Sequence, residues 1–202
     1  MANRYWVLGT GTWDATSTTN WSTSSGGSGG ASVPTASDNV FFDANSNVGT
    51  GAFTVTMANT PRVCNDFTAS GLDGVMTLAG TSIGLTVSGS LTFQATNFTR
   101  TYTGTTTFNA TTTGKTVTTN GVTFASAVTF DGVGGGWTLG SALTCGTLTI
   151  TNGAFDTSSS GNYAITATGF GSSTSNIRTI NLNASTITSS GVAAAWNMAT
   201  ST

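Results

Sequence analysis

Between Leu85 and Thr168 the chain returns again and again to one short phrase: Leu85-Thr-Val87, Leu91-Thr-Phe93, Val122-Thr-Phe124, Val128-Thr-Phe130, Leu148-Thr-Ile150 and Ala164-Ile-Thr-Ala167. Side chains alternate across a strand with period two, so each phrase puts Leu, Val, Ile or Phe on one face and a Thr hydroxyl on the other. Gly, Asn or Asp closes most of them, and these are the residues that turn a chain most easily. Each phrase therefore reads as one short, half-buried strand. Their spacing is uneven, so the stretch is a degenerate strand array and not a strict repeat.

The rest of the composition agrees. About a fifth of the 202 residues is Thr, while 6% is charged, the net charge is -2, and the chain has neither Glu nor His. Thr, Val, Ile and Phe favour strands, whereas Ser, Asn and Gly are poor in helix interiors, so helix is nearly excluded. Regular apolar positions and low charge together exclude intrinsic disorder. Five cations, Arg4, Arg62, Arg100, Lys115 and Arg178, stand singly, which offers no patch for nucleic acid. No apolar run reaches the roughly eighteen residues of a membrane helix, so no membrane insertion is expected. Met1-Ala-Asn-Arg-Tyr-Trp6 carries no basic and apolar leader; the expectation is synthesis in a cytoplasm without a signal peptide.

The amino-terminal part differs in character from the strand array. Residues 1–48 hold three of the five tryptophans, Trp6, Trp13 and Trp21, the pair Phe41-Phe42, and a Gly/Ser loop from Ser24 to Ser32. A stack of strands leaves the apolar face of its first rung bare, and large aromatics cover it at roughly 150–250 Å² each. Trp6, Trp13, Trp21, Phe41 and Phe42 are thus expected to form a structural cap, and residues 49–202 the Thr/Gly-rich array, which continues beyond 202 or is covered by a partner after Trp196. The motif Trp6…Gly11-Thr-Trp13…Asn20-Trp21…Val33-Pro34…Asp38-Asn-Val-Phe-Phe42 resembles the opening segment of large β-helical surface proteins, autotransporter-type adhesins among them, and of phage virion proteins of the tail-fibre or capsid-fibre kind. The resemblance covers about forty residues and implies a repetitive β-fold exposed on a virion or outside a cell, with no catalytic residues.

Chemistry-bearing residues are sparse. The seven Asp residues, Asp14, Asp38, Asp43, Asp66, Asp73, Asp131 and Asp156, include no pair at a spacing that sets two carboxylates on one strand face at about 5–10 Å, as glycoside hydrolysis requires. A Ser nucleophile has no His to activate it, and no Ser-x-x-Lys occurs. Gly132-Val-Gly-Gly-Gly-Trp137 lacks the following helix a phosphate cradle needs, and reads as a corner of the coil. Asp73-Gly74, Asn120-Gly121, Asp131-Gly132 and Asn152-Gly153 read as tight turns. Cys64 and Cys145 each occupy an apolar slot of a strand and read as buried thiols, with a long-range disulfide as the alternative. Thr-x-Thr pairs such as Thr54-Val-Thr56 suit ice binding only in an even rank, and their irregular spacing speaks against one.

The expected fold is all-β: a β-solenoid, parallel β-helix-like, with an aromatic N-terminal cap, the alternative being a β-sandwich or jelly roll. The expected function is a non-enzymatic structural protein of a phage virion, a tail fibre, spike or capsid-attached fibre, without cofactor or metal. Its expected partners are other virion proteins, itself as a homo-oligomer with a trimer preferred, and a host-surface glycan. A bacterial surface adhesin is the alternative; an ice-binding solenoid and a polysaccharide-degrading enzyme are minor ones.

Overall fold

Short alternating strands can bury their apolar side only by stacking on one another, and here they stack by coiling. The computed structural model describes residues 1–47, 49–191 and 196–198. It is all-β, with 45% strand and 2% helix, wound into a β-solenoid of about six turns. From Phe53 onward each turn visits three faces in a fixed order. The first carries Phe53–Met57, Met76–Ala79 and Phe98–Arg100, the second Arg62–Cys64, Leu85–Val87 and Thr106–Phe108, and the third Phe67–Ala69, Leu91–Thr92 and Lys115–Thr118. Each strand pairs in parallel with the strand one turn away.

Later turns are drawn tighter. The strands Val128–Leu139, Leu143–Asp156 and Ile165–Gly171 run round corners, and Leu143–Asp156 alone serves all three faces through its pairings with Ile165–Gly171 and Arg178–Asn181. Gly132–Gly136 lies inside Val128–Leu139, where the register shifts between Asp131 and Gly136. The stretch passes the backbone of the preceding turn so closely that a Cβ on Gly132 would sit 1.9 Å from the Ala110 carbonyl oxygen, and one on Gly135 2.1 Å from it. Glycine is required there by close approach, and the expected corner is a bulge pressed on its neighbour. Of the expected tight turns, Asn120-Gly121 has both residues at positive φ, 49° and 87°. At the Asp131 and Asp73 sites the left-handed residue is Gly134 (77°) or Gly71 (76°) instead.

Register keeps like over like. On the first face Thr54 pairs with Thr77 and Thr77 with Thr99; farther along, Thr144 pairs with Thr166 and Thr166 with Thr188. Those steps are 22 or 23 residues. On the third face, steps in the column from Val40 to Asn181 range from 18 to 27. One face is therefore nearly periodic while turns leading to another absorb the variation, and a linear reading sees only unevenness.

The inward positions form one apolar column of buried side chains from Trp6 to Phe170. Ring contacts run through it, Phe42 to Phe67 at 5.4 Å, Phe67 to Phe93 at 5.6 Å, Phe108 to Phe130 at 4.7 Å and Phe130 to Phe155 at 4.9 Å between centroids. Each buried Phe contributes about 1.5–3 kcal/mol of transfer free energy. At the amino-terminal end Asn3–Trp6 pairs in parallel with Asn39–Phe42, while Trp21–Ser22 lies antiparallel on it. Trp21 meets Trp6 edge-on at 5.1 Å and Trp13 at 5.2 Å. All three indoles and Phe42 are fully buried.

Phe41 departs from the expected cap. Adjacent strand residues face opposite ways, so with Phe42 inward Phe41 lies outside, half-buried and stacked on Tyr5 at 4.7 Å. Trp196 stacks on Phe170 at 4.6 Å and stays 49% exposed; the neighbouring stretch 192–195 and the terminus 199–202 lie outside the described residues.

Urea unfolding followed by circular dichroism separates the two sides of this strand. Trp13→Ala and Phe42→Ala each cost about 3–5 kcal/mol as large-to-small core changes, whereas Phe41→Ala loses one surface ring pair and costs about 1 kcal/mol.

Candidate functional site

Six of the seven acidic side chains hold turns or join neighbouring ones. Asp14 accepts the backbone N–H of Ser17 at 2.6 Å and of Thr16 at 2.8 Å, together with the Ser17 hydroxyl at 2.7 Å. Asp38 accepts from the Thr35 N–H and hydroxyl. Asp43 caps the short 3-10 turn Ala44–Ser46. Asp66 accepts the Ser90 N–H one turn along, Asp131 the Asn152 amide, and Asp156 the amides of Asn181 and Asn183. The carboxylates thus clamp successive turns or close loops, scattered along the coil. Among the described residues no three His, Cys, Asp or Glu side chains are grouped to hold a metal.

Cys64 and Cys145 are both buried and both free thiols. They stand on different faces of the coil, Cys64 in register with Val87 and Cys145 with Ala167. Burial raises both thiol pKa values, that of Cys145 to about 12.

Two features of the surface can meet a ligand. The first is the hydroxyl rank of the first face, Thr54, Thr77 and Thr99, then Thr144, Thr166 and Thr188, all half-buried or exposed. Thr123 precedes Phe124, which bridges Cys145, and so extends the second run. A similar rank, Thr86, Thr107, Thr129 and Thr149, runs along the second face. Strand separation in such ladders is about 4.7–4.9 Å. Sequence reading saw Thr-x-Thr pairs but not the rank, because the rank exists only between turns.

The second is a pair of clefts. One, of about 580 Å³, lies over the glycine bulge between Val133 and Ile177, which are 74% and 94% exposed. Its wall is braced by Arg178, which donates to the carbonyls of Thr174 at 2.7 Å and Asn176 at 3.0 Å and to Ser172. The other, of about 480 Å³, opens on the first face between Thr99 and Thr123, over Arg100. Neither was foreseen, since each joins residues about twenty or more apart. No protein-family model, curated protein or solved structure matches the chain.

Two solution measurements check this chemistry. Hydrogen bonds from the Ser17 and Thr16 backbone and from the Ser17 hydroxyl lower the Asp14 pKa from 3.8 to about 2. A depressed folded-state pKa means that the stabilisation is present above pH 3.8 and is lost as pH falls toward 2. Asp14→Asn therefore flattens the fall of the melting midpoint between pH 4 and pH 2. Both thiols are buried and burial disfavours the reactive thiolate, so at pH 8 a disulfide reagent titrates no thiol in the folded protein and two after denaturation.

Proposed function

We propose that the chain is a non-enzymatic structural protein of a phage virion, a tail fibre, spike or capsid-attached fibre, that presents hydroxyl-lined solenoid faces to host-surface glycans. The observation that carries this reading is the division of the coil into a continuous apolar interior and outer columns of Thr hydroxyls in register. Stacked backbone hydrogen bonds make such a rod stiff, and its hydroxyl surface stays hydrated without charge. The resemblance of the Trp6–Phe42 segment to virion and adhesin openings supports the same class. Self-association, as a trimer by preference, is supported by a charged fraction of 6% against the roughly 25–35% usual on a soluble surface.

Proteomics of gradient-purified phage particles is the test. Peptides of this chain in fixed ratio to capsid proteins support the reading; recovery in a bacterial cell-surface fraction and not in particles replaces it with the adhesin. Light scattering of residues 1–202 gives the assembly, and a concentrated, stable monomer removes the trimer.

The rank of threonines set in register on successive turns favours a second reading, ice binding, more than the uneven recurrence of Thr-x-Thr pairs along the chain does. Thermal hysteresis in a freezing assay, abolished by Thr166→Lys, supports it; freezing at the colligative temperature removes it.

A further inference from the structure

The first face is interrupted once. Phe98–Arg100 pairs only with Met76–Ala79 on one side, and residues 122–124 on the other side make a single bridge, Phe124 to Cys145, away from the gap. The cleft of about 480 Å³ fills this break, lined by Phe98, Thr99, Arg100, Asn120, Val122 and Thr123.

Arg100 is out of place by the logic of the coil. Register sets it in the inward column Val55–Leu78–Arg100, after two aliphatic residues, and it is 7% exposed. Its guanidinium carbon lies 3.8 Å from the Tyr102 ring centroid and 5.2 Å from that of Phe124. Nη2 donates to the Ser126 hydroxyl, which in turn donates to the Gly104 carbonyl at 2.7 Å. Nε and Nη1 are buried with no hydrogen-bond partner, and no carboxylate among the described residues pairs with the charge. A guanidinium does not escape by losing its proton. Two ring contacts offset only part of the cost of burying a charge without its counter-ion.

We infer that this break in the ladder is a binding site for a carboxylate group, with Arg100 as its charge partner. The site holds one positive charge and no second cation lines the cleft, which matches a monoanion and not a phosphate dianion. Around the charge stand groups that suit sugar hydroxyls. The Asn120 amide donates to the Phe93 carbonyl at 2.8 Å, leaving its oxygen as an acceptor, and the Thr99 and Thr123 hydroxyls are exposed on the rim. The ligand class is therefore an acidic saccharide held by its carboxylate; the saccharide part rests on the proposed glycan binding, the carboxylate part on Arg100 alone. Nε and Nη1 are covered in the free chain, so occupancy requires the side chains over them to shift.

Thermal unfolding and calorimetry of residues 1–202 with glucuronate, acetate and glucose, at ionic strength matched with sodium chloride, test the site. Glucuronate at a hundredfold excess over its Kd raises the midpoint by about 5 °C or more, acetate raises it less, and glucose leaves it unchanged. Arg100→Met, which restores the aliphatic column, melts at or above the free wild-type temperature and responds to neither carboxylate. Asn120→Ala keeps the acetate response and loses roughly tenfold in glucuronate affinity, one good hydrogen bond, and it serves should Arg100→Met fail to fold. Equal glucuronate shifts in wild type and Arg100→Met overturn the assignment, as does the absence of any shift with both carboxylates. Equal affinity for acetate and glucuronate overturns the saccharide part at this site, leaving the carboxylate site and, separately, the glycan reading that rests on the threonine ranks. Absence of the chain from virions overturns the virion reading and leaves both parts standing.

Discussion

The parallel ladder between successive turns is the constraint on which everything else rests. A strand of three or four residues has too little area to be stable by itself, and it holds its place here because the strand before it and the strand after it satisfy its backbone donors and acceptors. In-register stacking then dictates side chains. A residue on one turn lies about one strand separation from its counterpart on the next, so Thr is set over Thr outside and Leu, Val or Phe over its like inside, each pair contributing roughly 0.2–1 kcal/mol. The 22- or 23-residue step of the first face is this constraint expressed along the chain.

Ends and interruptions are where such a stack must be treated differently. On the amino-terminal side of the coil, Trp6, Trp13 and Trp21 with Phe42 cover the apolar end of the column, and the Trp6 indole N–H finds the Gly9 carbonyl at 2.7 Å. At the start of the second face, Arg62 lies inward but folds back to donate to the Thr60 carbonyl at 2.8 Å and to the Thr60 hydroxyl. Arg100 makes one such bond, from Nη2 to the Ser126 hydroxyl, and leaves Nε and Nη1 without a partner. It sits in mid-stack where the ladder of the first face is broken, and its unsatisfied nitrogens and the adjoining cleft are two aspects of one irregularity. The Asp residues show the contrary use of charge: Asp14, Asp43, Asp66, Asp131 and Asp156 hold turns or neighbouring turns while still partly exposed, and the buried Asp38 is offset by its bonds from Thr35.

Much of this was legible in the chain. Alternation in phrases such as Val128-Thr-Phe130 and Leu148-Thr-Ile150 identifies inward and outward residues correctly, since a period of two is local and needs no tertiary information. The cap was legible in part. Trp6, Trp13, Trp21 and Phe42 lie together, but Phe41 belongs to the outer face by the same alternation that defined the strands. Arg100 was legible only as a lone cation, although Phe98-Thr-Arg100 has the form of the other phrases with a charge in an apolar slot. The two clefts left no trace, because each is made by residues of different turns.

The amino-acid sequence by itself determined that the chain is all-β, which residues of the alternating strand phrases face inward, and where the aromatic cluster begins. Those properties follow from side-chain volume, polarity and backbone preference, which act within a few residues. Only the tertiary structure decided that three faces recur in order, that threonines far apart form even ranks, that Gly132 and Gly135 are pressed on Ala110, and that Arg100 lies buried beside a broken ladder. These depend on register between turns, and register is set by the lengths of all the connecting loops together and is carried by no single segment.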